Sequence, residues 1–394
     1  MRRLLDDPRM LAATYYFAFF AAGGAAFPYY TLFYQHMGMT NPQIGVLAAL
    51  PTITTVLAAP LWAGVADRFG LHRILLPGLL AGTLLPALLL PTAGSFWALG
   101  VLILVFNFFM SPTVPLAENT IITSLGEHRE RYGTLRLWGA VGFGISAWGV
   151  GFIIERLGMT AIWGVYIVLM LPAIVAAARL HAPQFSVQGA AYLTALRQLA
   201  ANRQWLRFLA AVFLVGAGYA MYDNFYAIHL QGLGAPTTLL GLIFMVSTLS
   251  ELPVFFFASR LIRRIGLQGV IVMAFSAFVL RGLAWGLVTD PTWGLAVQLL
   301  HGLSFSALWT AGVLYVNAIA PEGLGASAQA LFSTVFWGLS RAAGSLLGGQ
   351  LYETLGSGMF FIAAGVALAG LLVFASGLRR GKTLTADRSE AVSG

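Results

Sequence analysis

Two opposite charges stand alone in apolar sequence on either side of a short polar loop: Glu118 in SPTVPLAENTIITSL and Arg136 in YGTLRLWGAVGFG. Residues 126–131 separate them, and with Glu127 as the centre each charge lies nine residues from the turn. On two helices rising ~1.5 Å per residue, both reach roughly 13 Å from the loop. A carboxylate and a guanidinium at equal depth neutralise one another in apolar surroundings. Together they offer a polar solute acceptors and a planar fork of donors. The plainer alternative is an ion pair that only pins two helices. Arg281 and His301 repeat the geometry about ten residues on either side of Asp290-Pro291. An arginine keeps its charge, whereas an imidazole exchanges a proton near neutrality, as a proton relay requires. Asp223, Glu251 and Arg341 are further charges deep in apolar sequence.

The elements that must hold these charges are long and apolar. Hydrophobic residues make up 59% of the 394 and charged ones only 9%, with a mean hydropathy of +0.82. Soluble domains carry about a quarter charged residues, so the solvent of this chain is lipid. Stretches long enough to span fall near 11–34, 43–64, 74–92, 96–122, 133–155, 160–179, 206–230, 237–258, 267–289, 292–318, 325–351 and 356–378. They are numbered spans 1 to 12. MRRLLDDPRM has no small-residue cleavage site after its apolar run, so Leu11–Tyr34 is read as a retained first span.

Net charge is +8, but its placement argues against nucleic acid as a partner. Of the 22 Lys and Arg, Arg136, Arg281 and Arg341 lie within spans and Arg156 in a loop on the opposite side; the rest fall in the termini and every second loop. That asymmetry predicts both termini in the cytosol. The polar segment 181–204 divides the spans into two sets of six. The expected organisation is a bundle over 1–180, a cytosolic linker over 181–204, a second bundle over 205–380 and a disordered tail over 381–394. The chain has no cysteine, and its histidines show no metal-ligand spacing, so neither thiolate chemistry nor a metal centre is expected. Glycines such as Gly142, Gly151, Gly344 and Gly348 read as points of close helix approach. The aromatic residues read mainly as lipid-facing or interfacial.

The halves carry matching motifs. Gly151-Phe-Ile-Ile-Glu155-Arg-Leu-Gly158 ends span 5, and Gly349-Gln-Leu-Tyr-Glu353-Thr-Leu-Gly356 ends span 11. GVADRFGLHR follows span 2, and SRLIRRIG follows span 8. Twelve spans in two repeated sets of six describe a transporter with its site between the halves. GVADRFGLHR resembles the signature loop of the major facilitator superfamily. That resemblance implies a cytosolic latch at Asp67, Arg68 and Arg73, weakened in the second copy, where Arg263 stands in place of the acid. PLAEN, YGTLRLWGAVGF, LHGLSFSALW and GASAQALFSTVFWGL resemble the lactose permease branch with its phenylpropionate and nucleoside proton-symporter relatives. By that resemblance Glu118 and Arg136 bind solute hydroxyls and Phe143 stacks on a ring. His301 and Arg281 serve proton coupling, but the branch's acid one turn beyond the histidine is Ser304 here. Glu251, beside Pro253 and an expected local break in span 8, is the substitute carrier. Asp223–Arg341 is expected as a structural ion pair.

The expectation is an all-α membrane protein, a twelve-helix major facilitator in two pseudo-repeated bundles, not an enzyme. It works by alternating access as a monomer in a bacterial inner membrane, without cofactor. It imports a small polar solute, sugar or glycoside first, on the proton gradient. Alternatives are a nucleoside or aromatic-acid symporter, a multidrug exporter, or a receptor or membrane enzyme on the same scaffold.

Overall fold

A computed structural model describes residues 7–69, 71–126, 132–180, 199, 201–321 and 324–378. Most of the segment 181–204 and the whole tail 381–394 lie outside the described residues. Every regular element among the described residues is helical. Span 1 comprises Pro8–Ala26 and Tyr30–His36, joined by one tight turn at Phe27–Tyr29. Asn41–Phe69, His72–Leu89, Tyr132–Leu157 and Ala161–Arg179 are spans 2, 3, 5 and 6. Span 4 is broken at Ser111-Pro112 into Phe96–Met110 and Thr113–Leu125, because proline supplies no N–H to the preceding turn.

Arg203–Gly232 is span 7. Spans 8 and 9 form one helical run, Thr237–Leu287, folded back at Gly266. There φ is 73° and ψ 167°, a conformation that glycine adopts without a Cβ clash. Pro253 lies inside this run without interrupting it, so the expected break beside Glu251 does not occur. Asp290 caps the turn into span 10, accepting from Thr292 N (2.8 Å) and Thr292 Oγ1 (2.7 Å). Those bonds stabilise the ionised carboxylate and hold its pKa below the ordinary carboxylate value. Spans 10 and 11 each contain a π-helical stretch, Gly302–Ser306 and Thr334–Leu339, that re-aims the residues after it. Gly358–Ala375 is span 12.

Spans 1 to 6 pack mainly on one another, as do 7 to 12, and the two sets meet along spans 5 and 8 and spans 2 and 11. The two seams are related by the repeat. A Cβ on Gly151 would lie 2.5 Å from Thr237 O, and one on Gly349 would lie 2.5 Å from Asn41 O, so bare glycine is what lets the backbones touch. One turn further on, Glu155 Oε1 accepts from Thr238 N (3.0 Å) and Thr238 Oγ1 (2.9 Å) at the start of span 8. Its repeat partner Glu353 accepts from Asn41 Nδ2 (2.7 Å) at the start of span 2. Both seams lie at the end carrying loops 1–2, 5–6, 7–8 and 11–12. Among the described residues, no hydrogen bond between the halves lies nearer the opposite end than Thr52 Oγ1 to Gly338 O (3.3 Å) at mid-span. The halves are therefore zipped together at one end.

Candidate functional site

Between the halves, above that closed end, lies a cavity of about 500 Å³. The half comprising spans 1–6 contributes Tyr30, Thr31, Tyr34, Thr52, Phe106, Asn107, Phe143 and Trp163; the other half contributes Tyr219, Asp223, Tyr226, Ser247, Glu251, Gln298, His301, Phe305, Trp337 and Arg341. Tyr219, Asp223 and Tyr226 follow helical spacing, which lays all three along one face of span 7.

An arginine–carboxylate ion pair and a carboxylate–imidazole contact form its polar wall. His301 Nε2 lies 3.3 Å from Glu251 Oε1, with side chains 12% and 23% exposed. Ser250, next to Glu251, accepts from Gly302 N through Oγ (2.9 Å), where the π-helical stretch begins, and so locks spans 8 and 10 in register beside the pair. The His301 ring stacks on Phe305 at 5.5 Å, and its Nδ1 has no partner among the described residues. Arg341 Nη2 donates to Asp223 Oδ2 at 3.2 Å, with both side chains about one-fifth exposed. The guanidinium sits between the rings of Tyr219 and Trp337, 5.6 and 5.7 Å from their centroids. From the other half, the Tyr30 hydroxyl donates to Asn224 Oδ1. Asn224 Nδ2 donates to Ser345 Oγ (2.7 Å), which donates to Arg341 O (2.6 Å).

Arg281 stands behind this wall, fully buried and not lining the cavity. It donates through Nη1 to Ser304 Oγ (3.0 Å) and through Nη2 to Gln298 Oε1 (2.7 Å). Tyr219 and Tyr222 cover its faces at 5.6 and 5.3 Å. Ser304 in turn donates to His301 O (2.9 Å). Arg281 therefore touches the segment bearing the histidine through Ser304 and bonds the cavity-lining Gln298 directly.

Glu118 and Arg136 pair at 2.5 Å, so spans 4 and 5 bring them together. The pair is not sealed in apolar sequence. The side chains are 33% and 43% exposed, and neither lines the central cavity. Arg136 lies near the faces of Tyr16 and Phe20 on span 1. It sits about two helical turns, roughly 11 Å, from Phe143 toward the unzipped end, which is why solvent reaches it. Arg68 is exposed, its guanidinium 5.6 Å from the Phe69 ring. The side chains of Asp67 and Arg73 lie outside the described residues.

Sequence reading missed the aromatic lining, above all Trp163, Tyr219, Phe305 and Trp337. It also missed Gln298 and Asn107. The spacing of Tyr219, Asp223 and Tyr226, and of Trp337 with Arg341, was a signal that could have found Tyr219, Tyr226 and Trp337. Trp163 is 4% exposed, and its Nε1 has no partner among the described residues. No cluster of His, Cys, Asp and Glu fit for a metal occurs among the described residues.

A two-bundle helical membrane fold with a central cavity bearing paired charges defines a secondary transporter. Residues 9–363 match the MFS_1 like family, and the chain belongs to that family, within the major facilitator superfamily. It is 28% identical over 372 residues to a maltose permease of Geobacillus stearothermophilus, covering 94% of both chains. It is 29% identical over 385 residues to a probable 3-phenylpropionic acid transporter of Escherichia coli, covering 94% of this chain and 98% of that one. Among solved structures it resembles the nucleoside transporter NupG, with a TM-score of 0.83 at 18% identity over 95% of this chain and all of that one. The protein is an integral membrane transporter and not an enzyme.

Proposed function

We propose that this transporter imports a small neutral polar solute together with a proton, a sugar or glycoside before other classes. The observation that carries the reading is charge balance. Asp223 faces Arg341 as an opposite charge, and Glu251 faces His301, whose imidazole carries the matching charge only when protonated. The nearby Arg281 is buried behind the wall and bonded to Ser304 and Gln298. A solute carboxylate would have to take Arg341 from Asp223 and leave a part-buried acid without its partner, which opposes its binding. Hydroxyls engage the pairs as they stand. A sugar also presents apolar C–H faces to Phe143 and the other rings, as the amphipathic aromatic lining suits. Glu118 and Arg136 meet the solute on its way through the open vestibule. One relative bears the name of a sugar permease.

The same charge balance and planar rings favour a nucleoside as the second reading. One relative bears the name of a probable 3-phenylpropionic acid transporter, which supports an aromatic acid, but the pairing of Arg341 with Asp223 disfavours a carboxylate; drug export and a receptor or membrane-enzyme role have no comparable support. Glu251 and His301 share an exchangeable proton at the cavity wall, taking the role that Ser304 cannot fill. Arg281 holds a fixed positive charge behind them. The zipped end faces outward and both termini lie in the cytosol of a bacterial inner membrane, with the protein acting as a monomer. Asp67, Arg68 and Arg73 close the cytosolic end in the opposite state.

The test is solute-induced alkalinisation. Proteoliposomes are given maltose, a nitrophenyl glucoside, uridine or 3-phenylpropionate while external pH is recorded. A pH rise with a neutral compound, lost in Glu251→Gln while solute exchange persists, is the expected result. Exchange without any pH change refutes coupling, and transport confined to the carboxylate refutes the neutral-solute reading.

A further inference from the structure

We infer that Asp223 and Arg341 contact the solute directly, gripping a vicinal diol, rather than serving as a helix clamp. The inference rests on the reading of the cavity as the solute site. Both residues line that cavity and are about one-fifth exposed, whereas the guanidinium of Arg281, which holds only its neighbours, is wholly buried. A pair whose sole task is to tie spans 7 and 11 gains nothing from facing water, because open solvent weakens its attraction.

The repeat gives an independent reason. Gly151 and Gly349 make equivalent backbone contacts at the two seams, and Glu155 and Glu353 follow each by four residues. Counting back eight from each glycine arrives at Phe143 on span 5 and Arg341 on span 11. The two halves thus direct the same structural position at the cavity, one with a ring and the other with a guanidinium. A solute between them meets an apolar face on one side and a charged fork on the other.

The pair is also held as a recognition element must be. Tyr219 and Trp337 flank the Arg341 guanidinium, and Ser345 Oγ bonds its backbone carbonyl. Through Asn224 the same chain of bonds reaches Tyr30 on span 1. One hydroxyl donates to an Asp223 oxygen while its neighbour accepts from Arg341. A diol supplies the donor and acceptor at the spacing of a charged pair, and no charge is left unpaired. Sugars and ribonucleosides both carry that group. Solute on this pair adjoins the Tyr30–Asn224 bond between the halves, so occupancy bears on how the halves sit together.

Binding of maltose, a nitrophenyl glucoside, uridine and 2′,3′-dideoxyuridine to purified protein separates the two roles. The exchanged variant Asp223→Arg/Arg341→Asp keeps an ion pair but reverses donor and acceptor. Arg341→Lys keeps the pair and the charge but loses the planar fork. If the pair grips the solute, both variants melt within a few degrees of wild type yet bind the diol compounds at least about tenfold more weakly. Where the exchanged variant fails to fold, the Arg341→Lys result decides. Affinity within about twofold of wild type in Arg341→Lys, or in a folded exchanged variant, overturns the assignment and leaves a structural pair. So does equal binding of uridine and its dideoxy analogue, if uridine is the compound bound. A wild type that binds none of the four refutes the solute-site reading, and the assignment with it.

Discussion

Substituting valine at both Gly151 and Gly349 is expected to force the closed end open. A Cβ at Gly151 would stand 2.5 Å from Thr237 O and 2.8 Å from Thr238 Cα; at Gly349 it would stand 2.5 Å from Asn41 O and 3.1 Å from Gly45 Cα. Carbon atoms rest at about 3.5–4.0 Å, so each seam must part by roughly 1 Å before any branch of the valine is placed. The neighbours in the way are mainly backbone, which no rotamer change can move aside. Overpacking of this kind costs about 1–3 kcal/mol per site. Both penalties fall on the state zipped at this end and are relieved when it opens. Together they come to about 2–6 kcal/mol, a population shift of roughly 30-fold to about 10⁴-fold. The chain has no cysteine, so a single one introduced at the cavity-lining Thr52 reports access cleanly. In intact cells, a membrane-impermeant maleimide should label Thr52→Cys slowly in the parent and at least about tenfold faster in the double valine variant. Gly149→Val is the control, because a Cβ there meets nothing within 4 Å. Unchanged labelling in a variant that melts normally would refute the reasoning, since the seam would then tolerate the added volume without opening.

Trp163→Phe retains the ring contacts with Phe33 and Phe106 (5.6 and 5.7 Å between centroids) and deletes only the indole donor and its extra ring. If Nε1 meets the solute, binding weakens about fivefold, the value of one hydrogen bond near 1 kcal/mol, with the melting temperature held or raised; unchanged affinity in a titration would show that the donor plays no part. Gly266→Ala places a Cβ at φ 73° in the turn joining spans 8 and 9. A cost of about 1–2 kcal/mol should lower the midpoint of thermal unfolding by a few degrees, and an unchanged midpoint would mean that the turn relaxes to a negative φ.

What was legible in the sequence follows from what hydropathy and spacing encode. Span lengths and the depth of a charge along its helix are both projections on the membrane normal, and both survive without a structure. Glu118 meets Arg136 and Asp223 meets Arg341 because equal depth on adjoining helices leaves an ion pair little else to join. Rotation about the helix axis is a different quantity. Arg281 and His301 have matching depth, yet Arg281 turns to Ser304 and Gln298 while His301 turns to Glu251. The π-helical stretch Gly302–Ser306 begins directly after His301, and a change of helical phase there is invisible to a count of apolar residues. The same limit hid the cavity rings, since an aromatic residue facing solute and one facing lipid look alike in composition. Pro253 misled for the opposite reason: proline forbids one hydrogen bond, and a helix packed on its neighbours runs through the gap.

The repeat reaches further than the motifs that revealed it. Gly151–Glu155 and Gly349–Glu353 occupy equivalent places and close equivalent seams, so symmetry in the sequence became symmetry in the gate. The cavity breaks that symmetry. Equivalent positions hold Phe143 in one half and Arg341 in the other, and both cavity-lining charged contacts, the Asp223–Arg341 ion pair and the Glu251–His301 contact, belong to the second half. A rocking motion requires the two seams to be alike, because each half pivots against the same geometry. On the proposed function, recognition of an asymmetric solute and movement of a proton would require the walls to differ. The first demand accounts for bare glycine where backbones touch, and the second for unlike residues two turns away.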